Sequence, residues 1–319
     1  MKEYDKKYEN LLTDETREIG YYIIEFYKVL LKIGNEKYIN NFLENIKTLR
    51  VRKVNNSKKT GFITAGQYYS HTNILEYNEK YMDIIFHELF HLASTDLKKG
   101  KIGFKKVINR KCYGSGINEG YTTLLTSRYF PFDETSYIFL PEIMEVLENV
   151  LGEEKMLDLY FCEDPDKLYD ELEIYLSKEE VNELIDNLDY LLKKLLNDIN
   201  IPNVRKKIYE KAKKASDLIF KYIIKKTEDE YEKKLITLED AEMIINSLYD
   251  MGYNYIFKKE IIGLYMYKLY DYKSLTSLIN ETATKFKLEE EYVDDDYYFY
   301  KKKNGVHRVK KKEIKYIDS

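Results

Sequence analysis

Among the residues able to do chemistry, His87, Glu88, Leu89, Phe90 and His91 stand out because they spell His-Glu-x-x-His. Around them Tyr81, Ile84, Ile85, Phe86, Leu89, Phe90 and Leu92 cover most of the surface of a helix expected from Asn78 to about Thr95, the pattern of a helix buried in a core. Four residues make slightly more than one helical turn, so both imidazoles project from one face and a single metal ion can bridge them. Glu88 directly follows the first histidine. That sets its carboxylate beside such a metal rather than on it, the place of a general base acting on water.

Catalytic zinc takes three protein ligands and keeps its fourth position open. The chain offers Glu119, 28 residues beyond His91 in the run Asn-Glu-Gly-Tyr-Thr from Asn118 to Thr122, expected at the first position of a helix reaching about Tyr129. Asp96, five residues after His91, is the rival carboxylate. Zn2+ held by His87, His91 and Glu119 would polarise a carbonyl and activate water, with Glu88 taking the proton. Tyr69, His71 and Tyr121 are each able to donate a hydrogen bond to a developing oxyanion, and each also has an ordinary structural reading.

His-Glu-Leu-Phe-His followed by Asn-Glu-Gly-Tyr-Thr resembles the gluzincin metallopeptidases, the thermolysin-like group of zincins, over roughly residues 60 to 130. The resemblance implies that His87 and His91 are the histidine ligands, Glu119 the third ligand and Glu88 the catalytic glutamate. It also implies a peptide or protein substrate, its backbone bound by a strand just before the motif helix, which residues 61–77 would supply by strand addition. Members of that group often carry an acidic residue four positions after the glutamate ligand; this chain has Thr123. The other large zincin group extends its motif with a glycine and a third histidine, where this chain has Ser94 and Leu97. Two further readings stand beside peptidase: a zincin-fold interaction protein without turnover, and a metal-dependent hydrolase of a non-peptide amide or ester.

These residues need elements to hold them. Apolar residues at helical spacing predict one helix through Ile19, Tyr22, Ile23, Phe26, Val29, Leu30 and Ile33, and another through Ile39, Phe42, Leu43 and Ile46, broken at Gly34 and Asn35. Arg50 to Lys59 reads as basic and polar, and residues 61–77 as one or two strands of a small sheet. From 141 to 288 the pattern is almost continuously helical, with breaks near Gly152, Pro165, Pro202 and Gly252. An acidic run at 289–296 precedes a terminal hairpin expected about Asn304 and Gly305. The expected fold is α+β and predominantly helical: a zincin-like catalytic domain with a small sheet and N-terminal helices at 1–175, then a helical C-terminal region at 176–319.

Composition narrows the function classes. With 44% apolar and 34% charged residues, 4 prolines and 13 glycines, the 319-residue chain reads as folded rather than linker-rich. Its 52 basic and 56 acidic residues leave a formal charge of -4, so no global field draws it to nucleic acid or anionic membrane, and neither is an expected partner. His307 and its neighbouring lysines read as a solvated hairpin. The start of the chain lacks the pattern of a secretory signal, and Cys112 and Cys162 read as free thiols, so a cytoplasmic protein is expected.

Overall fold

The computed structural model describes residues 3–54, 65–108, 111–131, 140–162, 164–195, 202–241, 244, 297–302 and 305–310. It is predominantly helical with small sheets, an α+β fold. Contacts divide the chain into two compact units: Met1–Glu171 with Leu188–Asn197, and Leu172–Asn187 with Asp198–Ser319.

The first unit begins with α1 (Gly20–Ile33) and α2 (Glu36–Ile46). Helix α1 buries Tyr22, Ile23, Phe26, Val29 and Leu30 and ends where the Gly34 N–H donates to Leu30 O. Asn35 caps α2 by accepting from Lys37 N–H. Both pack on α3 (Ile84–Ala93), every residue of which is buried, as its near-continuous apolar surface predicts. Aromatic rings join the three helices. The Phe26 ring lies 5.0 Å from Phe42 and 4.7 Å from Phe90, and Phe86 stacks on Phe130 at 3.8 Å.

The helix expected from Asn78 starts later. Residues Glu79–Tyr81 form a single 3-10 turn, because the Asn78 side chain accepts from Lys80 N–H while its own N–H goes to Ala65 O. Beside α3 lies a three-stranded sheet of order β1-β3-β2, with β1 (Arg50–Lys53) parallel to β3 (Ile74–Tyr77) and β2 (Gly66–Tyr69) antiparallel to it. Strand β1 occupies part of the segment read as merely basic and polar. Residues 61–64 of the expected strand region lie outside the described residues.

Two short ladders follow α3: β4 (Thr95–Asp96) with β5 (Lys101–Ile102), and β6 (Lys106–Ile108) with β7 (Lys111–Tyr113). Helix α4 (Ser115–Tyr129) then starts one turn earlier than expected, so Glu119 is its fifth residue rather than its first. The cause is remote in sequence. Asp189 of α8 (Lys178–Leu195) accepts from the Gly114 and Gly116 N–H groups at 2.9 and 2.7 Å, satisfying donors that a helix start leaves open. A Cβ on Gly116 would overlap the Leu188 carbonyl, so the approach of these backbones requires glycine there. Helices α5 (Leu140–Leu151), α6 (Glu153–Phe161) and α7 (Asp166–Glu173) complete this part of the chain, interrupted at Gly152 and before α7 as expected.

In the second unit α9 (Pro202–Glu232) runs antiparallel to the first half of α8, since Lys211 meets Asn187, Lys214 meets Glu183, Lys221 meets Glu180 and Asp229 meets Tyr175. Val181, Leu184 and Ile185 are buried there, as are Ile208, Ala212, Ile219 and Ile223. The helical pattern is interrupted before Pro202 as expected, and Pro202 opens α9, the position where its missing N–H costs nothing. Strands β8 (Tyr297–Lys302) and β9 (Gly305–Lys310) pair antiparallel, as expected of a hairpin; its turn residue Asn304, the acidic run and Gly252 lie outside the described residues. Among the described residues no helix is long and apolar enough to cross a membrane.

Candidate metal centre

Helix α3 sets His87 and His91 one turn apart, with their Nε2 atoms 3.1 Å from each other. Helix α4 brings in Glu119, whose Oε2 lies 3.1 Å from His87 Nε2 and 3.2 Å from His91 Nε2. The three donor atoms thus form a nearly equilateral triangle. Ligands at 2.0–2.1 Å around tetrahedral zinc are separated by about 3.3 Å, so the triangle fits such an ion with little adjustment. Among the described residues this is the group of three such side chains able to hold a metal. Both imidazoles and Glu88 are buried, and the Glu119 side chain keeps 12% exposure.

The helix that carries the histidines has a buried C-terminal end, whose carbonyls need donors. Two asparagines of α2 supply them. Asn45 Nδ2 donates to Leu92 O and Thr95 O, both at 2.8 Å, and Asn41 Nδ2 to Ala93 O and Thr95 O at 2.8 and 3.0 Å. Thr95 Oγ1 donates to His91 O at 2.6 Å. These bonds fix the last turn of α3, and with it His91.

Around His91 Nδ1 stand Asn118 Nδ2 at 3.2 Å and Thr122 Oγ1 at 3.5 Å. Asn118 Oδ1 accepts from Phe104 N–H, which holds that side chain in place. A metal on Nε2 requires the proton on Nδ1; of these two neighbours only Thr122 Oγ1 can accept it, since the Asn118 amide nitrogen is a donor. Thr123, at the position where gluzincins often carry an acid, is buried and makes no hydrogen bond through Oγ1. The groups facing His91 Nδ1 thus come from Asn118 and Thr122 of α4, not from Thr123.

Charge is tuned by burial and neighbours. Burial pushes the Glu88 carboxyl up to about 7, with Glu119 adding to the shift and His87, the Tyr68 N–H and Lys105 opposing it. Burial lowers His91 to about 4, so it stands as the neutral imidazole that a metal needs. Burial also opposes ionisation of Glu119, but Lys105 first, then His91 and hydrogen bonds from both histidines, hold its carboxyl well below the usual range. Lys105 Nζ lies 2.8 Å from Glu119 Oε1. This lysine was not singled out in the sequence; it sits in a connection whose only local signal is lysine and glycine.

The other residues considered for the site stand elsewhere. Asp96 leaves α3 for strand β4, where its Oδ1 accepts from Lys98 and Lys99 N–H and its Oδ2 pairs with Lys99 Nζ at 3.0 Å. Tyr121 is wholly buried and donates to Glu148 Oε2 at 2.6 Å. Tyr69 OH bonds Gln67 and Glu76, and His71 is exposed beside it. None of the four lines the opening onto the metal centre. That opening is a cleft of about 330 Å³ walled by Gly66, Gln67, Tyr68, Lys105, Ser115 and Leu192, among others, with Glu88, His91 and Glu119 at its surface. A larger hollow of about 760 Å³, between the α1–α2 turn and α6, is rich in acidic groups and shares no residue with it.

Compared with protein-family models, with curated proteins and with solved structures, the chain matches none.

Proposed function

We propose that this chain is a zinc-dependent hydrolase, a peptidase of the gluzincin-like kind, with His87, His91 and Glu119 as metal ligands and Glu88 as general base. The observation that carries this reading is the donor triangle of His87 Nε2, His91 Nε2 and Glu119 Oε2, with edges of 3.1–3.2 Å, set beside a buried carboxylate that is not part of it. Zinc bound there supplies Lewis acidity, which readies a water near neutral pH and polarises a carbonyl. Glu88 is fixed through Oε2 by the Tyr68 N–H, which leaves Oε1 to take a proton from the water and return it to the leaving amine.

Among the described residues strand β2 is an edge of its sheet and walls the cleft through Gly66, Gln67 and Tyr68, which supports an extended peptide as substrate. The two cysteines are unbridged, which agrees with a reducing, cytoplasmic setting.

The test is cleavage of a broad peptide library by the zinc-loaded protein, with Glu88→Gln as control. Cleavage by wild type alone supports the peptidase. Identical behaviour of the two, with zinc bound to both, would sink it. Turnover confined to non-peptide amides or esters, again lost in Glu88→Gln, would move the same chemistry to another substrate class.

A further inference from the structure

The Glu119 carboxylate has two oxygens with different surroundings: Oε2 faces both histidines, while Oε1 faces Lys105 Nζ at 2.8 Å. Among the described residues walling the cleft, Lys105 is the only lysine or arginine. Its side chain is mostly withdrawn from solvent, at 24% exposure against 12% for its partner.

Its backbone is held from two sides. Gly103 N–H donates to Ser94 O just past α3, and Phe104 N–H donates to the Asn118 side chain in α4, next to Glu119 itself. Lys105 N–H closes the turn onto Ile102 O at 2.9 Å. Gly103 has φ +47, and a Cβ there would overlap Asn118 Oδ1, so the turn is built on a residue without a side chain. The same asparagine thus fixes this turn and faces a histidine ligand.

The geometry points to Lys105 as a positioning residue that holds Glu119 to one-oxygen ligation, keeping Oε1 engaged while Oε2 completes the donor triangle. The inference rests on the proposed metal site. A carboxylate can ligate through one oxygen or both, and the second oxygen would crowd the position left open for water and substrate. A hydrogen bond from an ammonium to Oε1 removes that option without blocking Oε2. Lys105 also repels a dication, so its loss has two opposed effects on metal affinity. Coordination number, not affinity, is therefore the discriminating readout.

The experiment is electronic absorption of the full chain loaded with cobalt(II), alongside Lys105→Met and Lys105→Arg. Cobalt in four-coordinate sites absorbs several-fold more strongly in the visible than in five-coordinate ones. Wild type is expected to show the intense four-coordinate bands, Lys105→Met a several-fold weaker spectrum, and Lys105→Arg the wild-type intensity. A five-coordinate spectrum in wild type overturns the inference, and so does a Lys105→Met spectrum identical to wild type. The wild-type arm tests it even if Lys105→Met fails to fold, which circular dichroism reports. No cobalt bound by folded wild type would instead remove the metal-site reading itself.

Discussion

The Tyr68 main-chain N–H donates to Glu88 Oε2 at 2.7 Å, so the edge strand β2 and the proposed general base are held as one unit. That bond does not offset the cost of burying a carboxylate. The folded protein keeps the Glu88 carboxyl protonated up to about 7, against 4.5 for the group in solvent. Because the folded state then binds the proton more tightly than the unfolded one, this group lowers stability progressively as pH rises through that window. Glu88→Gln keeps an acceptor for Tyr68 and removes the charge. In chelator-treated protein it is expected to match wild type near pH 4.5 and to exceed it by about 3 kcal/mol above pH 7, measured by urea unfolding. His91, whose pKa is lowered, gives both proteins the opposite slope between about 4 and 6.5, so only their difference is diagnostic. A constant difference across pH would sink the claim.

Asn45 bridges α2 to the end of α3 by donating to Leu92 O and Thr95 O. Asn45→Ala removes the side-chain donor from Leu92 O, while Asn41 Nδ2 still reaches Thr95 O; a buried carbonyl left without its donor costs about 1–3 kcal/mol. A loss of about 2 kcal/mol or more in urea midpoint analysis is expected, together with weaker zinc binding because His91 lies in the released turn. Unchanged stability would mean that another donor or water takes over Leu92 O.

The motif helix was legible because its chemistry and its burial obey one period: a spacing of four residues sets His87 over His91, and the surrounding apolar residues need only the same helix. The start of α4 was not legible in this way. It is set by the Asp189 carboxylate, 75 residues from Gly114, and no local pattern foretells it. Strand β1 was hidden because its side chains are mostly exposed, leaving no apolar alternation, while its order comes from pairing with β3 and from Arg52 meeting Glu76 at 2.9 Å. Lys105 is hidden in the sequence for a similar reason. A lysine in a connection looks solvated until the turn that carries it is seen bonded to both α3 and α4.

Gly116 tests how tightly Glu119 depends on the packing of α4. Adding a methyl group there drives it into the Leu188 carbonyl, and neither backbone has a flexible end that can yield. Overpacking of this kind costs about 1–3 kcal/mol, and Gly116→Ala is expected to fall in that range by thermal unfolding. Because Glu119 lies in the next turn, zinc affinity measured against a colorimetric chelator is expected to fall as well. Full affinity at reduced stability would show that the ligand turn moves independently of the helix start.

The choice between Glu119 and Asp96 as third ligand is decided by comparing how zinc stabilises single variants. An ion that binds only the folded state stabilises it by about 2.7 kcal/mol at 100 times its dissociation constant. Wild type is therefore expected to melt several degrees higher with zinc than with chelator. Glu119→Gln removes the charged oxygen from the triangle and is expected to lose most of that increment. Asp96→Asn is expected to lose some intrinsic stability, since its carboxylate accepts two main-chain N–H groups and pairs with Lys99, yet to keep the full zinc increment. The reverse pattern, with the increment lost in Asp96→Asn and kept in Glu119→Gln, would require strand β4 to swing its carboxylate toward the histidines on metal binding. That would break three contacts to Lys98 and Lys99, at a cost for which the structure offers no replacement bonds.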